Sequence, residues 1–373
     1  MNFAFSEDQE MVRDAARRLL SERSTMERVH KIMDDPNAHY DQPLWDQMAE
    51  NGWIGLAVPE EYGGSGLGYL ESCVVAEEVG RALACVPLAS SSYLVTEALL
   101  LAGTEEQKKR YLPELASGKT IAALAVSEQG RLDPLGIKLK STKDLLTGTK
   151  DPVTDALCAD VLLVAARTSE GTDGISLFLV KTADDRVKRQ ALQVMDQTKP
   201  LAKVELNGAP GELLGPAGAG WALIQQLFDR AAVLLAFEQL GGGDHALQMA
   251  TAYAKERYVF GRPLGSFQAI KHRLADMFTK LELARSNCYY GAWALSKNAP
   301  ELGVAACLAR VSAGDAFEFA SQENVQIHGG IGFTWQADPH MFVKRARHLE
   351  YQIGDRRMWR DRLITKLGYP KAG

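Results

Sequence analysis

Apolar residues recur at three- and four-residue spacing through the first third of the chain, alternate in short runs through the middle, and return to helical spacing up to the end. Met11, Val12, Ala15, Ala16, Leu19 and Leu20 form one helical stripe, opened by Ser6 and Gln9 at capping-box spacing. A second helix is expected over 43–51, stopped by Gly52, and helical periodicity resumes over 69–83 after the turn-rich stretch 59–66. Thr104 as N-cap and Gly118 beyond the end bracket a helix over 104–116. From Lys119 onward, β-type runs are predicted at 120–126, 137–140, 145–149, 161–166, 175–180 and 202–206, with Gly, Asp, Asn and Ser turns between them. Residues 208–220, rich in Gly, Pro and Ala, read as a linker. Long helices over 221–255, 266–297, 301–327 and 339–367 then carry the pattern of a four-helix bundle. Helices, strands and helices in that order predict an α+β chain in three domains: helical over 1–118, a β-barrel or sandwich over 119–215, and a C-terminal four-helix bundle over 216–373.

Composition changes this picture little, because 46% apolar and 24% charged residues are ordinary for a globular chain. A net charge of −5 gives no electrostatic case for nucleic acid as a partner. One segment is strongly basic: Lys344, Arg345, Arg347, Arg356, Arg357, Arg360, Arg362 and Lys366 face only Glu350, Asp355 and Asp361. Such a run predicts a solvated helix face or a subunit contact. Five cysteines, odd in number and without C-x-x-C spacing, fit buried thiols in a reducing compartment and no metal site. A helix opening at Ser6 leaves no room for an apolar targeting segment, and no stretch of ~18 apolar residues offers a membrane span, so a cytoplasmic location is expected.

Two segments carry candidate chemistry. The first runs from Glu256 through Arg257, Phe260, Gly261, Phe267 and Gln268; the second is Gln326-Ile327-His328-Gly329-Gly330. An arginine can fork onto a pyrophosphate, amides can bind a heterocycle's edge, and paired glycines let backbone approach a flat ligand closely. Taken singly, Arg257 could be a helix C-terminal cation, Phe260 and Phe267 core, and Gly329-Gly330 a helix stop.

Together with the order of the three zones, these segments resemble the acyl-CoA dehydrogenase family over almost the whole chain. The loop 59–68 resembles the family's P-E-x-x-G-G-x-G, and 147–156 resembles its middle-domain strand G-x-K-x-W-I-T-N-G. The resemblance implies FAD as cofactor, with Arg257 on its pyrophosphate, Phe260, Phe267 and Gln268 lining it, and Gln326, Gly329 and Gly330 holding its adenosine half. It further implies α,β-dehydrogenation of an acyl-CoA thioester, an electron-transfer flavoprotein as acceptor, and a homo- or hetero-oligomer such as a tetramer. Around 236–241 and Gly354-Asp355 the pattern resembles small subunits that pair with a homologous chain in degrading bulky acyl groups.

Several positions depart from the family. Its T-E-P-x-A-G-S-D turn reads Ser127-Glu128-Gln129-Gly130-Arg131-Leu132-Asp133-Pro134 here, keeping the Ser127 hydroxyl but adding bulk at Arg131 and Leu132. Pro152 stands in place of the flavin-covering tryptophan, while Thr154 remains as a flavin hydrogen-bond partner. Removal of an α-proton needs a carboxylate base, yet Ile353-Gly354-Asp355 falls where relatives carry E-G-T. At the alternative location, the start of the first bundle helix, Ala231 occupies the base position, and a two-residue shift offers Asp229. Asp229 is therefore the candidate base, with a helix-surface acid or a CoA contact as its plainer role. Arg230 could bind CoA or pair with an acid, and Glu238 reads as a buried, paired carboxylate. The competing reading is a non-catalytic partner subunit that completes another chain's FAD site.

Overall fold

Residues 5–369 are described in the computed structural model. They pack as two compact units that interleave along the chain: a helical unit built from the residues up to Lys31, Tyr69–Ala84 and those from Ala232 onward, and a sheet unit built from Ile32–Gly68 and Cys85–Ala231.

In the helical unit, α1 (Glu7–Arg23) starts at the expected capping box: Ser6 Oγ accepts from Gln9 N at 3.3 Å, and Gln9 Oε1 accepts from Ser6 N at 2.9 Å. After α2 (Met26–Asp34) and α3 (Gln42–Glu50), α4 (Tyr69–Arg81) returns to this unit and is buried along most of its length. In the sheet unit, a π-helical segment at Ala89–Thr96 runs into α5 (Glu97–Ala102), and α6 (Glu105–Ala116) opens on a second capping box between Thr104 and Gln107.

Eight strands follow: β1 (Ala122–Ala125), β2 (Lys140–Thr142), β3 (Leu145–Thr154), β4 (Val161–Arg167), β5 (Ile175–Lys181), β6 (Val187–Ala191), β7 (Leu201–Pro210) and β8 (Glu212–Leu214). They form one mixed sheet in the order β6-β7-β3-β2-β4-β5-β8, with β1 added in parallel to β4. Leu146, Leu162, Val164, Phe178, Val204 and Leu206 anchor its core. The register of β3 against β7 slips between Lys150 and Val153, three steps on one strand against two on the other. This bulge takes up Pro152, which has no N–H for the ladder.

Three expectations need correction. Residues 208–220 are not simply a linker, since β7 runs to Pro210 and β8 pairs with β5. Strand β6 escapes the pattern because four of its five residues are exposed, leaving no apolar alternation to read. The final predicted helix is two, α10 (Pro339–Tyr351) and α11 (Arg356–Lys366), separated at Gly354 with φ +104°. Among the described residues the C-terminal helices are therefore five, with α7 (Gly220–Glu256), α8 (Gln268–Ser296) and α9 (Leu302–His328) unbroken as expected.

The centre of α7 explains how these helices approach so closely. A Cβ on Gly241 would lie 1.8 Å from the carbonyl oxygen of Glu77 on α4, and one on Gly80 of α4 would lie 1.9 Å from that of Glu238. Gly242 faces the Phe317 ring of α9 and Gly243 faces Leu281 of α8. Three successive glycines, each turned about 100° from the last, thus notch one helix for three neighbours. Each costs about 1 kcal/mol of helix propensity, which the close packing offsets.

No helix among the described residues is long and apolar enough to cross a membrane. None of the five cysteines forms a disulfide among the described residues, and all are buried except the half-buried Cys158.

Candidate functional site

In the helical unit, α7 ends at Glu256 and gives way to a hairpin of β9 (Tyr258–Val259) and β10 (Arg262–Pro263). Its two-residue turn has φ +52° at Phe260 and +78° at Gly261, the left-handed pair required by the tightest hairpins. A phenylalanine in that conformation is a genuine outlier, and the residue is 91% exposed. Strain combined with apolar exposure at one residue points to a ligand or partner that covers it. Phe260 meets Phe267 edge-on at 6.4 Å, and the Arg262 guanidinium lies 4.0 Å over the Phe267 ring. Arg257 stands exposed at the hairpin's base, its carbonyl accepting from Leu264 N at 2.7 Å. Helix α8 then opens at Gln268 with no capping side chain and no acid in its first turn. Its first N–H groups are thereby left for another acceptor.

The second motif comes to the same place. Helix α9 ends at His328, whose ring stacks on Tyr253 of α7 at 4.1 Å, and Asn324 Nδ2 lies 3.2 Å from Met249 Sδ. Burial holds His328 below its usual pKa, and its Nδ1 lies 2.8 Å from the Asn324 carbonyl. Arg257 follows Tyr253 by one helical turn and Gly329 follows His328 directly, so the two sequence motifs share one surface. A Cβ on Gly261, Gly329 or Gly330 would meet nothing within 4 Å, and Gln326 is exposed. Backbone is accessible there to a flat ligand.

The sheet unit positions the departing turn. Ser127 Oγ donates to the Asp151 carbonyl at 3.2 Å, Asp151 N donates to the Ser127 carbonyl at 2.9 Å, and Gly130 N donates to the Asp151 carbonyl at 3.0 Å. Arg131 is held out by an ion pair with Asp133 at 3.0 Å. A groove of about 480 Å³ borders this turn, lined by Glu128, Arg131, Lys138, Thr149, Asp151 and Lys203. Thr154 lies half-buried at the end of β3, opposite Leu201.

The acids near Ile353 are engaged structurally. Ile353 is fully buried. Glu350 pairs with Arg347 at 3.0 Å and Arg356 at 3.5 Å, while Asp355 caps α11 by accepting from Met358 N at 2.8 Å. Ala231 is fully buried, and Asp229 is half-buried on α7. Arg230 forms an ion pair with the buried Glu97, which is the acid-pairing alternative rather than an open CoA contact. Glu238 is fully buried in the helical unit. Burial pulls the Arg310 guanidinium down to about 10, with Glu350 and Glu238 opposing it, and Arg310 donates to the carbonyls of Leu349 and Glu350.

The basic run is answered from within the unit. Arg356 and Arg360 reach Asp315 at 2.9 and 2.8 Å, and Arg347 reaches Glu318 at 2.5 Å, so α9 supplies the acids. Sequence spacing had no means of pairing these segments. It also missed Lys150, which is completely buried on β3 with Nζ 2.7 Å from Glu128. The inward alternation of Leu146, Gly148 and Lys150 was the signal that could have found it.

Comparison with known proteins gives consistent results. Residues 6–119 match the family description "Acyl-CoA dehydrogenase, N-terminal domain", and residues 218–366 match "Acyl-CoA dehydrogenase, C-terminal domain". The chain is 33% identical to acyl-CoA dehydrogenase IpdE2 of Mycolicibacterium smegmatis, over 94% of its own length and 95% of that protein's. It is 31% identical to the caffeyl-CoA reductase-Etf complex subunit CarC of Acetobacterium woodii, over 88% and 90% of the two chains. Among solved structures, it superposes with a TM-score of 0.89 on a chain of the ChsE4-ChsE5 complex from Mycobacterium tuberculosis, at 27% identity and with 100% of each chain covered.

Proposed function

Because the chain belongs to the acyl-CoA dehydrogenase family, oxidoreductases acting on CH–CH bonds, we propose that it takes part in FAD-dependent α,β-dehydrogenation of an acyl-CoA thioester. The observation that carries this reading is the meeting of Arg257, the Phe260–Gly261 turn and Gln326–Gly330 on one exposed surface, tied by the Tyr253–His328 stack. Those residues fit the cofactor. Arg257 offers a charge-assisted fork to its pyrophosphate, beside the uncapped start of α8. Phe260, Phe267 and Gln268 would line it, Gln326, Gly329 and Gly330 would hold its adenosine half, and Ser127 and Thr154 would offer hydroxyls. When bound, FAD supplies the acceptor for a hydride from the substrate β-carbon. This chain's part is to hold and orient that cofactor and to exclude water from it. Electrons would pass to an electron-transfer flavoprotein, a partner class named for the Acetobacterium relative's complex.

The proton at the α-carbon needs a base, and Asp229 is this chain's candidate. A second reading is supported by a specific observation: Ile353 and Ala231, which the resemblance sets at the family's two base positions, are each fully buried, and Glu350 and Asp355 are engaged structurally. On that reading the chain is the partner subunit of a hetero-oligomer, a form of assembly named for the ChsE4-ChsE5 structure. Purification alone and with the product of a neighbouring gene, followed by FAD per chain and bleaching with acyl-CoA, separates the two. Bleaching by the chain alone sinks the partner reading, and flavin absent from every preparation sinks both.

Two further results are expected. Arg257→Ala should weaken FAD binding by roughly 1.5–3 kcal/mol with the fold intact. Equal flavin affinity in parent and variant, measured by fluorescence titration, would remove Arg257 from the site. Glu350→Gln and Asp355→Asn should leave turnover within about tenfold, ~1.4 kcal/mol on the barrier. A drop of several orders of magnitude with FAD still bound would restore one of them as the base.

A further inference from the structure

Lys150 is a lysine with a completely buried side chain in the middle of a β-strand, and together with Glu128 its ammonium ties three stretches of the chain. Nζ donates to the Val126 carbonyl at 3.1 Å and to Glu128 Oε1 at 2.7 Å. The Glu128 carboxylate also accepts from the backbone N–H groups of Lys138 at 2.9 Å and Leu139 at 3.0 Å. One lysine and one carboxylate thus bind β3 both to the turn that follows β1 and to the segment that enters β2. A second cation braces the far end of the same loop: Arg167 of β4 donates to the Pro134 and Ile137 carbonyls at 2.6 and 2.9 Å. Glu128 and Arg167 are the charges that Lys150 feels, and β7 presents Val204 opposite it.

We infer that Lys150 is a positioning residue, whose ion pair with Glu128 holds the Ser127–Arg131 turn in register with β3 and so sets where Ser127 stands relative to Thr154. What that turn presents rests on the flavoprotein reading above, whereas the lock itself does not. The turn's remaining ties to β3 are the backbone bonds between Ser127, Gly130 and Asp151 and the Ser127 hydroxyl bond. These lie immediately before the bulge at Asp151 and Pro152, where the sheet ladder is interrupted. A buried charge that loses its partner is strongly disfavoured, so the pair resists separation of the turn from the strand.

The proton on Lys150 gives this lock a pH signature that a purely structural residue lacks. Burial brings the ammonium from its ordinary 10.5 down to about 8, against the upward pull of Glu128. Between those values the unfolded chain binds more protons than the folded one, so the contribution of Lys150 to global stability rises with pH. Over the same window the bond to Glu128 loses its charge assistance and weakens. Turn order and global stability therefore move in opposite directions.

Backbone amide exchange read by mass spectrometry on the flavin-free chain tests this. Lys150→Met should lower protection across 128–139 by about tenfold or more, while β5 stays as protected as in the parent. In the parent, protection of 128–139 should fall from about pH 7 to about pH 9.5 while β5 protection does not fall, and this dependence should vanish in the variant. Glu128→Gln, which keeps the core side chain in place, should reproduce the local loss if Lys150→Met fails to fold. Unchanged protection of 128–139 in the folded variants, or an equal loss in β5, overturns the proposal. In flavin-binding preparations, retention should fall in step with turn protection; a loosened turn with unchanged retention overturns the positioning role. A parent that binds no flavin in any assembly sinks the proposed function and leaves amide exchange to decide on Lys150.

Discussion

Gly241→Ala is expected to destabilise the helical unit by about 3 kcal/mol or more. The added carbon would have to share space with the Glu77 carbonyl oxygen, 1.8 Å away, and a backbone atom cannot rotate aside as a side chain can. Helices α4 and α7 would have to part at the point where Gly80 makes the reciprocal approach to Glu238. The salt bridges around this crossing, Arg81 of α4 to Asp244 of α7 at 3.0 Å and Arg285 of α8 to both Glu77 at 2.7 Å and Asp244 at 2.5 Å, would stretch with it. Chemical denaturation with a helical signal measures the change. Gly330→Ala is the control, since its Cβ meets nothing within 4 Å, and it should stay within about 0.5 kcal/mol of the parent. A Gly241→Ala protein that unfolds at the parent's midpoint would mean that the helices do not cross as closely as described.

Asp229→Asn should slow flavin reduction by acyl-CoA at least about a hundredfold, ~2.7 kcal/mol on the barrier, if the chain works as its own dehydrogenase. The amide keeps the shape and hydrogen-bonding capacity of the acid but cannot accept the α-proton. Asp229 is half-buried on α7, and the adjacent cation, Arg230, is already bound to Glu97. Stopped-flow bleaching with a panel of acyl-CoA thioesters reads the effect. An Asn variant that bleaches as fast as the parent would eliminate Asp229. A parent that bleaches with none of them, although it holds FAD, would transfer the proton chemistry to a partner subunit.

How far this could be foreseen differs from element to element. The capping boxes at Ser6 and Thr104 are legible because each is complete within four residues. The break between α10 and α11 is less so: Gly354 and Asp355 form a stop and a cap, but the flanking apolar spacing reads straight through them. Within the candidate site, Arg257 and Gln326–Gly330 are visible as motifs. Their juxtaposition depends on Tyr253 and His328 stacking across 75 residues of sequence (328 − 253). That Ile353 carries no acid is likewise visible in the sequence, whereas the engagement of Glu350 and Asp355 is not, since Arg356 and the α11 N-terminus must first fold against them.

By itself the sequence determines most of the long helices, the order of helices, strands and helices, and the family, because periodicity, caps and turn residues act over a few positions. Only the tertiary structure decides what the anomalous residues are for. Gly241-Gly242-Gly243 would break an isolated helix, yet here each glycine admits a different neighbour. Lys150 and Arg345 look like solvent residues by type, yet both are buried, one on Glu128 and the other reaching the Leu83 carbonyl at 3.3 Å. Their burial is tolerable only because distant segments deliver oxygen atoms to them, and local spacing carries no information about atoms that arrive from elsewhere in the chain.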